Sequence, residues 1–137
     1  MPGRLWVRAR TNSLSLNAKR RLRDELKLTD VVCCCLIRDE DWYDIGTHYI
    51  QFPWSDSTRH IPDDLDIATG MVCEAIEQHS ARVLIYCDSG RNRSCLLAAM
   101  VVRRILGVSG SYAMGYVRGS RPMALKNPFF IQYLDSL

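Results

Sequence analysis

The segment from Val83 to Val102 constrains the fold more than any other part of the chain. An apolar, β-branched run, Val83-Leu84-Ile85-Tyr86, predicts a buried strand, and Cys95-Leu96-Leu97-Ala98-Ala99-Met100-Val101-Val102 predicts a helix. Between them lie Cys87-Asp88-Ser89-Gly90-Arg91-Asn92-Arg93-Ser94. A strand, a tight glycine-bearing loop and a helix aim backbone N–H groups and the positive end of a helix at one point, which favours an anion there.

A bare Cys-x5-Arg pattern says little, because six cysteines and fifteen arginines give about 0.6 chance matches in a chain of this size. Requiring Gly three residues and Ser seven residues after the cysteine lowers the expectation to roughly 0.005. The other five cysteines have no arginine six residues on. Each residue type has its own physical reason. A helix N-terminus and a neighbouring guanidinium favour a thiolate over a thiol, which predicts Cys87 as nucleophile. Arg93 offers a planar fork for two oxygens of a phosphate, which a lysine cannot imitate. Gly90 permits backbone angles that a β-carbon blocks, and Ser94 places a hydroxyl beside the sulfur.

Cys87-x-x-Gly90-x-x-Arg93-Ser94 resembles the signature loop of the cysteine-dependent protein tyrosine phosphatase superfamily, in its compact dual-specificity branch. Phe52-Pro53-Trp54-Ser55-Asp56 is similar to the loop that carries the general acid. Ser109-x3-Ala113-x3-Val117-x3-Arg121 is similar to the helix after the signature loop, and Asn127-Pro128-x-Phe130-x-x-Tyr133-Leu134 to the start of the last helix. Together the matches cover roughly residues 30 to 137, in order. The family has histidine just before the cysteine; this chain has Tyr86.

The resemblance implies a cysteinyl-phosphate mechanism with Cys87, Arg93, Asp56 and Ser94 as catalytic residues. Phosphate would be held by the loop from Asp88 through Ser89, Gly90, Arg91 and Asn92 to Arg93. Among eleven aspartates, Asp63, Asp64 and Asp66 are explained by a helix start, and Asp39, Asp41 and Asp44 by a solvated charged loop. Asp56 matches the family's acid position, with Asp88 and Asp44 as the remaining choices. Asp88, a carboxylate in an anion-binding loop, is expected to point to solvent. Arg118, Arg121 and Asn127 are read as ties between the last helices and the loop, and Trp54, Arg59 and His60 as the pocket rim or, equally, as core and solvent.

Composition narrows the class. One domain, residues 1–137, is expected, with enough chain to bury about two-thirds of its unfolded surface. Strands at Arg4–Arg8, Asp30–Ile37, Thr47–Phe52 and Arg82–Cys87 alternate with helices. A helix from Ser15 or Asn17 to Leu26, another from Pro62 to His79, and three near 94–106, 109–118 and 128–136 complete the pattern. The expected fold is a single α/β domain, a mainly parallel central sheet of four to five strands flanked by helices. Ligands in such folds bind at the carboxyl ends of strands, where Cys87 and Asp56 both fall.

No apolar run approaches a membrane span, and the basic stretch from Met1 to Arg10 lacks the apolar core of a signal peptide, so a cytoplasmic monomer is expected. The net charge of +3 is too small to argue for nucleic acid. Six cysteines without Cys-x-x-Cys or paired Cys/His spacing predict no structural metal, and no cofactor is implied. Cys33-Cys34-Cys35 read as small hydrophobes in a sheet. The resemblance adds a second reading, a reversible Cys35–Cys87 disulfide that protects the nucleophile.

The expected partner is a phosphorylated protein or peptide carrying phosphotyrosine, with phosphoserine or phosphothreonine also accepted. Two enzyme alternatives share the superfamily: an RNA 5′-triphosphatase, suggested by Gly90-Arg91-Asn92-Arg93 and the only case in which nucleic acid is a partner, and a phosphoinositide phosphatase, suggested by Arg91. A phosphate-binding pseudophosphatase is the non-enzyme alternative.

Overall fold

The sheet takes its shape from one strand buried on both faces. The computed structural model describes residues 4–56 and 59–137. Four parallel strands, β1 (Leu5–Arg8), β2 (Asp30–Cys33), β3 (His48–Gln51) and β4 (Val83–Tyr86), run in the order β1-β4-β2-β3. All four residues of β4 are buried, which is why this strand reads as a continuous apolar run rather than an alternating one. Its register is fixed on both sides: Tyr86 lies opposite Arg8 on β1 and opposite Cys33 on β2.

Six helices cover the sheet: α1 (Leu16–Leu26), α2 (Asp41–Asp44), α3 (Leu65–His79), α4 (Arg93–Leu106), α5 (Gly110–Ser120) and α6 (Pro128–Asp135). α1 packs against α2, and α3 packs against α4, which itself covers β1 and β4 and packs against α5. α4 carries ten consecutive buried residues, Arg93 to Val102, and is the core helix of the domain. Among the described residues no single helix is long and apolar enough to cross a membrane.

The helix ends follow local chemistry. The Ser15 side chain accepts from the Ala18 N–H, Ser109 from that of Tyr112, and Asn127 from those of Phe129 and Phe130 ahead of Pro128, each filling an orphan donor of the first turn. α4 stops at Gly107, whose φ of +65° is the left-handed conformation that ends helices.

Three expectations change. The second strand ends at Cys33 rather than Ile37, because Cys34 and Cys35 leave the sheet for a loop. The helix expected from Pro62 starts at Leu65, after a turn closed by the Leu65 N–H donating to the Pro62 carbonyl. The charged stretch around Asp39 is not a solvated loop. Lys19 and Asp39 are both buried, at 1% and 5% exposure. The Lys19 ammonium donates to Asp39 at 2.9 Å and to Asp41 at 2.6 Å, Thr11 donates to Asp39 at 2.6 Å, and the Trp42 indole donates to Thr11 at 3.0 Å. α2 exists to turn Trp42 into this cluster.

Burial works against the Lys19 charge, but the bonds to Asp39 and Asp41 outweigh it, and its pKa rises above the ordinary lysine value. A raised pKa in the folded state means the stabilisation is complete below the ordinary lysine value and is lost as pH climbs through the raised one. Lys19→Met leaves Asp39 buried without its cation and is expected to cost about 3–5 kcal/mol. Urea denaturation of the variant at neutral pH checks this, and an unchanged midpoint would show the cluster to be energetically idle.

Candidate active site

The chain leaves β4 at Cys87, on the carboxyl edge of the sheet between β1 and β2. The loop from Cys87 to Asn92 is held from outside by its carbonyls. The Asp88 carbonyl accepts from the Arg10 N–H at 3.2 Å, and that of Arg91 from the Leu125 N–H at 2.6 Å. The Ser89 carbonyl accepts from the Arg121 guanidinium at 3.1 Å, and the Gly90 carbonyl also accepts from Arg121. In a planar trans peptide the N–H points opposite to the C=O. Four carbonyls drawn outward therefore turn the amides of Ser89, Gly90, Arg91 and Asn92 toward the middle of the loop. Gly90 makes the turn possible: its φ is +67°, and a β-carbon there would sit 2.6 Å from the Arg8 carbonyl carbon. Leu125, at φ +61°, accepts left-handed strain to reach Arg91.

Helix α4 begins at Arg93 with Asn92 as its cap residue, yet the Asn92 side chain makes no capping bond. It is used elsewhere. Its amide donates to Asp56 Oδ2 at 3.2 Å, and its Oδ1 accepts from the N–H groups of Lys126 and Asn127 at 2.7 and 2.8 Å. Diverting the cap leaves the first turn of a buried helix facing the loop with its dipole unmet by a side chain.

Inside this cradle the Cys87 sulfur lies 3.1 Å from the Ser94 hydroxyl, and both residues are buried. Arg93 is buried as well; its Nη1 donates to the Trp54 carbonyl at 2.9 Å and its Nη2 to Asp88 Oδ2 at 3.1 Å. Burial opposes the Arg93 charge, but the Asp88 bond and the charges of Cys87, Asp88 and Asp56 prevail, raising its pKa. The Arg93 Nε is buried with no acceptor among the described residues. A buried donor without a partner is costly, and here it belongs to the side chain best suited to bind an oxyanion.

Asp56 stands across the loop, tied by Asn92 and, through its backbone carbonyl, by the Asn127 amide at 3.1 Å. Its Oδ1 is buried without a partner among the described residues. Trp54 belongs to the core, its ring 5.6 Å from Phe52 and its indole donating to Asp64 at 2.7 Å, so Asp64 serves Trp54 rather than capping α3. Arg59 and His60 are exposed, and Arg59 lines a cleft beside Asp56. Arg121 and Asn127 tie the C-terminal segment to the loop, whereas Arg118 braces that segment internally, donating to the Ala124 and Leu125 carbonyls.

Asp88 does not stand alone in solvent. It is half exposed, with its Oδ2 on Arg93 and its Oδ1 3.8 Å from Arg10. The Cys35 sulfur lies 3.4 Å from that of Cys33, and burial first, then the Cys33 bond, push its pKa up to about 12. Burial and then the charge of Cys87 push the Cys34 thiol well up, and the same two causes push that of Cys95 up to about 12. Sequence reading missed the support under Tyr86, which is fully buried with its hydroxyl 2.6 Å from that of Tyr49. The Tyr49 hydroxyl in turn accepts from the Asp39 N–H at 2.9 Å. Burial raises the pKa of both phenols. Tyr49 lies 37 residues from Tyr86, too far for any local signal.

The fold recurs in solved structures. Human DUSP28 superposes with a TM-score of 0.79 at 22% identity, covering 99% of this chain and 91% of its own. The human tyrosine phosphatase-like serine/threonine/tyrosine-interacting protein gives 0.81 at 17%, over 99% and 91%. PTPMT1 in complex with PI(5)P gives 0.80 at 15%, over 98% and 89%. No curated protein matches the sequence. The family model described as dual specificity phosphatase, catalytic domain, matches residues 14–136. With nearly its whole length matched, the chain belongs to the dual specificity phosphatases of the cysteine-dependent protein tyrosine phosphatase superfamily.

Proposed function

We propose that this phosphatase hydrolyses phosphomonoesters of proteins, phosphotyrosine first and phosphoserine and phosphothreonine as further substrates, through a cysteinyl-phosphate. The observation that carries this reading is the loop itself: inward amides and the unpartnered Arg93 Nε surround the Cys87 sulfur. The Cys87 thiolate attacks phosphorus while the loop amides and Arg93 hold the equatorial oxygens. The bond from phosphorus to the leaving oxygen breaks, and that oxygen takes a proton from Asp56. Water then attacks the phosphocysteine, giving its proton to Asp56; the S–P bond breaks, inorganic phosphate leaves, and Ser94 supports the departing thiolate at 3.1 Å.

Two residues hold Asp56 in reach. Asn92 fixes its carboxylate and Asn127 its backbone, so the acid is set against the loop by the loop's own last residue. Asp56→Ala is expected to slow turnover of p-nitrophenyl phosphate by roughly 10²–10⁴-fold. Steady-state rates measure it, and a near-wild-type rate would reassign the acid. The exposed Arg91 favours a phosphoinositide as the second reading. A panel of phosphopeptides and soluble phosphoinositides assayed side by side separates the two, and no turnover of any phosphomonoester would leave a binding module.

A further inference from the structure

A cleft of about 300 Å³ opens beside Asp56, walled by Arg59, Asn92, Lys126, Asn127 and Phe129. It lies on the side of the acid, where the atoms attached to the leaving oxygen must pass. Its two cations are uncommitted: among the described residues neither the Arg59 nor the Lys126 side chain enters an ion pair. Of the other cations near the loop, Arg93 is committed to Trp54 and Asp88, Arg121 to Ser89 and Gly90, and Arg10 to Asp88, while the exposed Arg91 enters no ion pair among the described residues and does not line this cleft. Against Arg59 and Lys126 the wall sets one carboxylate, Asp56, whose Oδ2 already accepts from Asn92. Lys126 cannot drift from the loop, since its backbone N–H is anchored on Asn92 at 2.7 Å. Phe129 is 39% exposed and supplies an aromatic surface at the same mouth.

Resting on the function proposed above, we infer that this cleft is a subsite for an anionic group next to the phosphorylated residue, so that the substrate is an acidic phosphopeptide. A phosphotyrosine ring leaving the loop meets Phe129, and a neighbouring carboxylate or second phosphate meets Lys126 and Arg59. A ring and a flanking anion on one flexible strand fit these three groups better than an inositol headgroup, which carries phosphates but no aromatic face.

The test compares wild type, Arg59→Ala, Lys126→Ala and the double variant on phosphotyrosine peptides flanked by alanine, by glutamate or by phosphoserine. p-Nitrophenyl phosphate and a short-chain soluble phosphoinositide are assayed alongside. Wild type is expected to favour the acidic peptides by about threefold for each cation, expressed in KM with kcat unchanged. The preference shrinks at about 0.5 M salt and vanishes in the double variant, while p-nitrophenyl phosphate turnover is the same in all four proteins. A larger gain from phosphoserine than from glutamate identifies a second phosphate as the ligand, and equal gains identify any carboxylate; both support the subsite. Equal use of all three peptides by wild type overturns it, as does a preference that survives the double variant, or a loss confined to the phosphoinositide. If every phosphomonoester is inert, the catalytic reading fails separately. Calorimetric binding of the same peptides then decides the subsite, and equal affinity for the alanine- and glutamate-flanked peptides overturns it.

Discussion

Cys87→Ser is expected to abolish turnover, by on the order of 10⁴-fold or more, while the protein folds and still binds inorganic phosphate. The reason lies in how the labour is divided. The phosphate cradle is made of backbone amides turned inward by Arg10, Arg121 and Leu125, and of the Arg93 guanidinium; none of these is the sulfur. A serine hydroxyl fits the same buried space and keeps a hydrogen bond to Ser94, but at neutral pH it offers no anion to attack phosphorus. Calorimetry with inorganic phosphate and a rate assay on p-nitrophenyl phosphate measure the two halves independently. Residual turnover within a hundredfold of wild type would mean that another group is the nucleophile.

Arg93→Lys should be nearly as damaging, about 10³-fold or more in kcat/KM, as for arginines that hold a transferring phosphoryl group elsewhere. Lysine keeps the charge but not the fork. In the structure the fork is already divided, with Nη1 on the Trp54 carbonyl, Nη2 on Asp88 and Nε unpartnered. An ammonium is a point charge. Placed here it can satisfy the Trp54 carbonyl or a phosphate oxygen, and not both in one orientation. The loss should fall on both kcat and KM, because in the proposed mechanism the guanidinium both binds the ground state and steadies the transition state. A loss in KM alone would show Arg93 to be a docking residue.

What could be read from sequence divides by distance along the chain. The strand, loop and helix around Cys87 were legible because each signal is local: a β-branched run, a glycine where φ must be positive, an arginine on the first turn of a helix. The caps at Ser15 and Asn127 were local too. The parallel sheet followed from the alternation of strands and helices. The Lys19–Asp39 cluster was not legible, because a lysine and an aspartate 20 residues apart look like two solvated charges until the fold buries them together. Asp88 is exposed as expected, but its pairing with Arg93 was not legible, for a related reason. Its carbonyl and carboxylate meet Arg10, two residues past the end of β1 and far away in the sequence. The three adjacent cysteines gave no hint that the sheet ends after the first of them, which brings the Cys33 and Cys35 sulfurs together.

The brace formed by Arg121, Leu125 and Asn127 carries a consequence for thermal behaviour. These three residues, on the connection between α5 and α6, hold the loop carbonyls and the backbone of Asp56 at once. Local opening of that one connection releases the anion cradle and the acid together, yet leaves β4 and α4 packed in the core. Such partial openings require less free energy than global unfolding. Heating should therefore silence the enzyme before it melts the sheet, and amides in residues 121–127 should exchange with solvent sooner than those of β4.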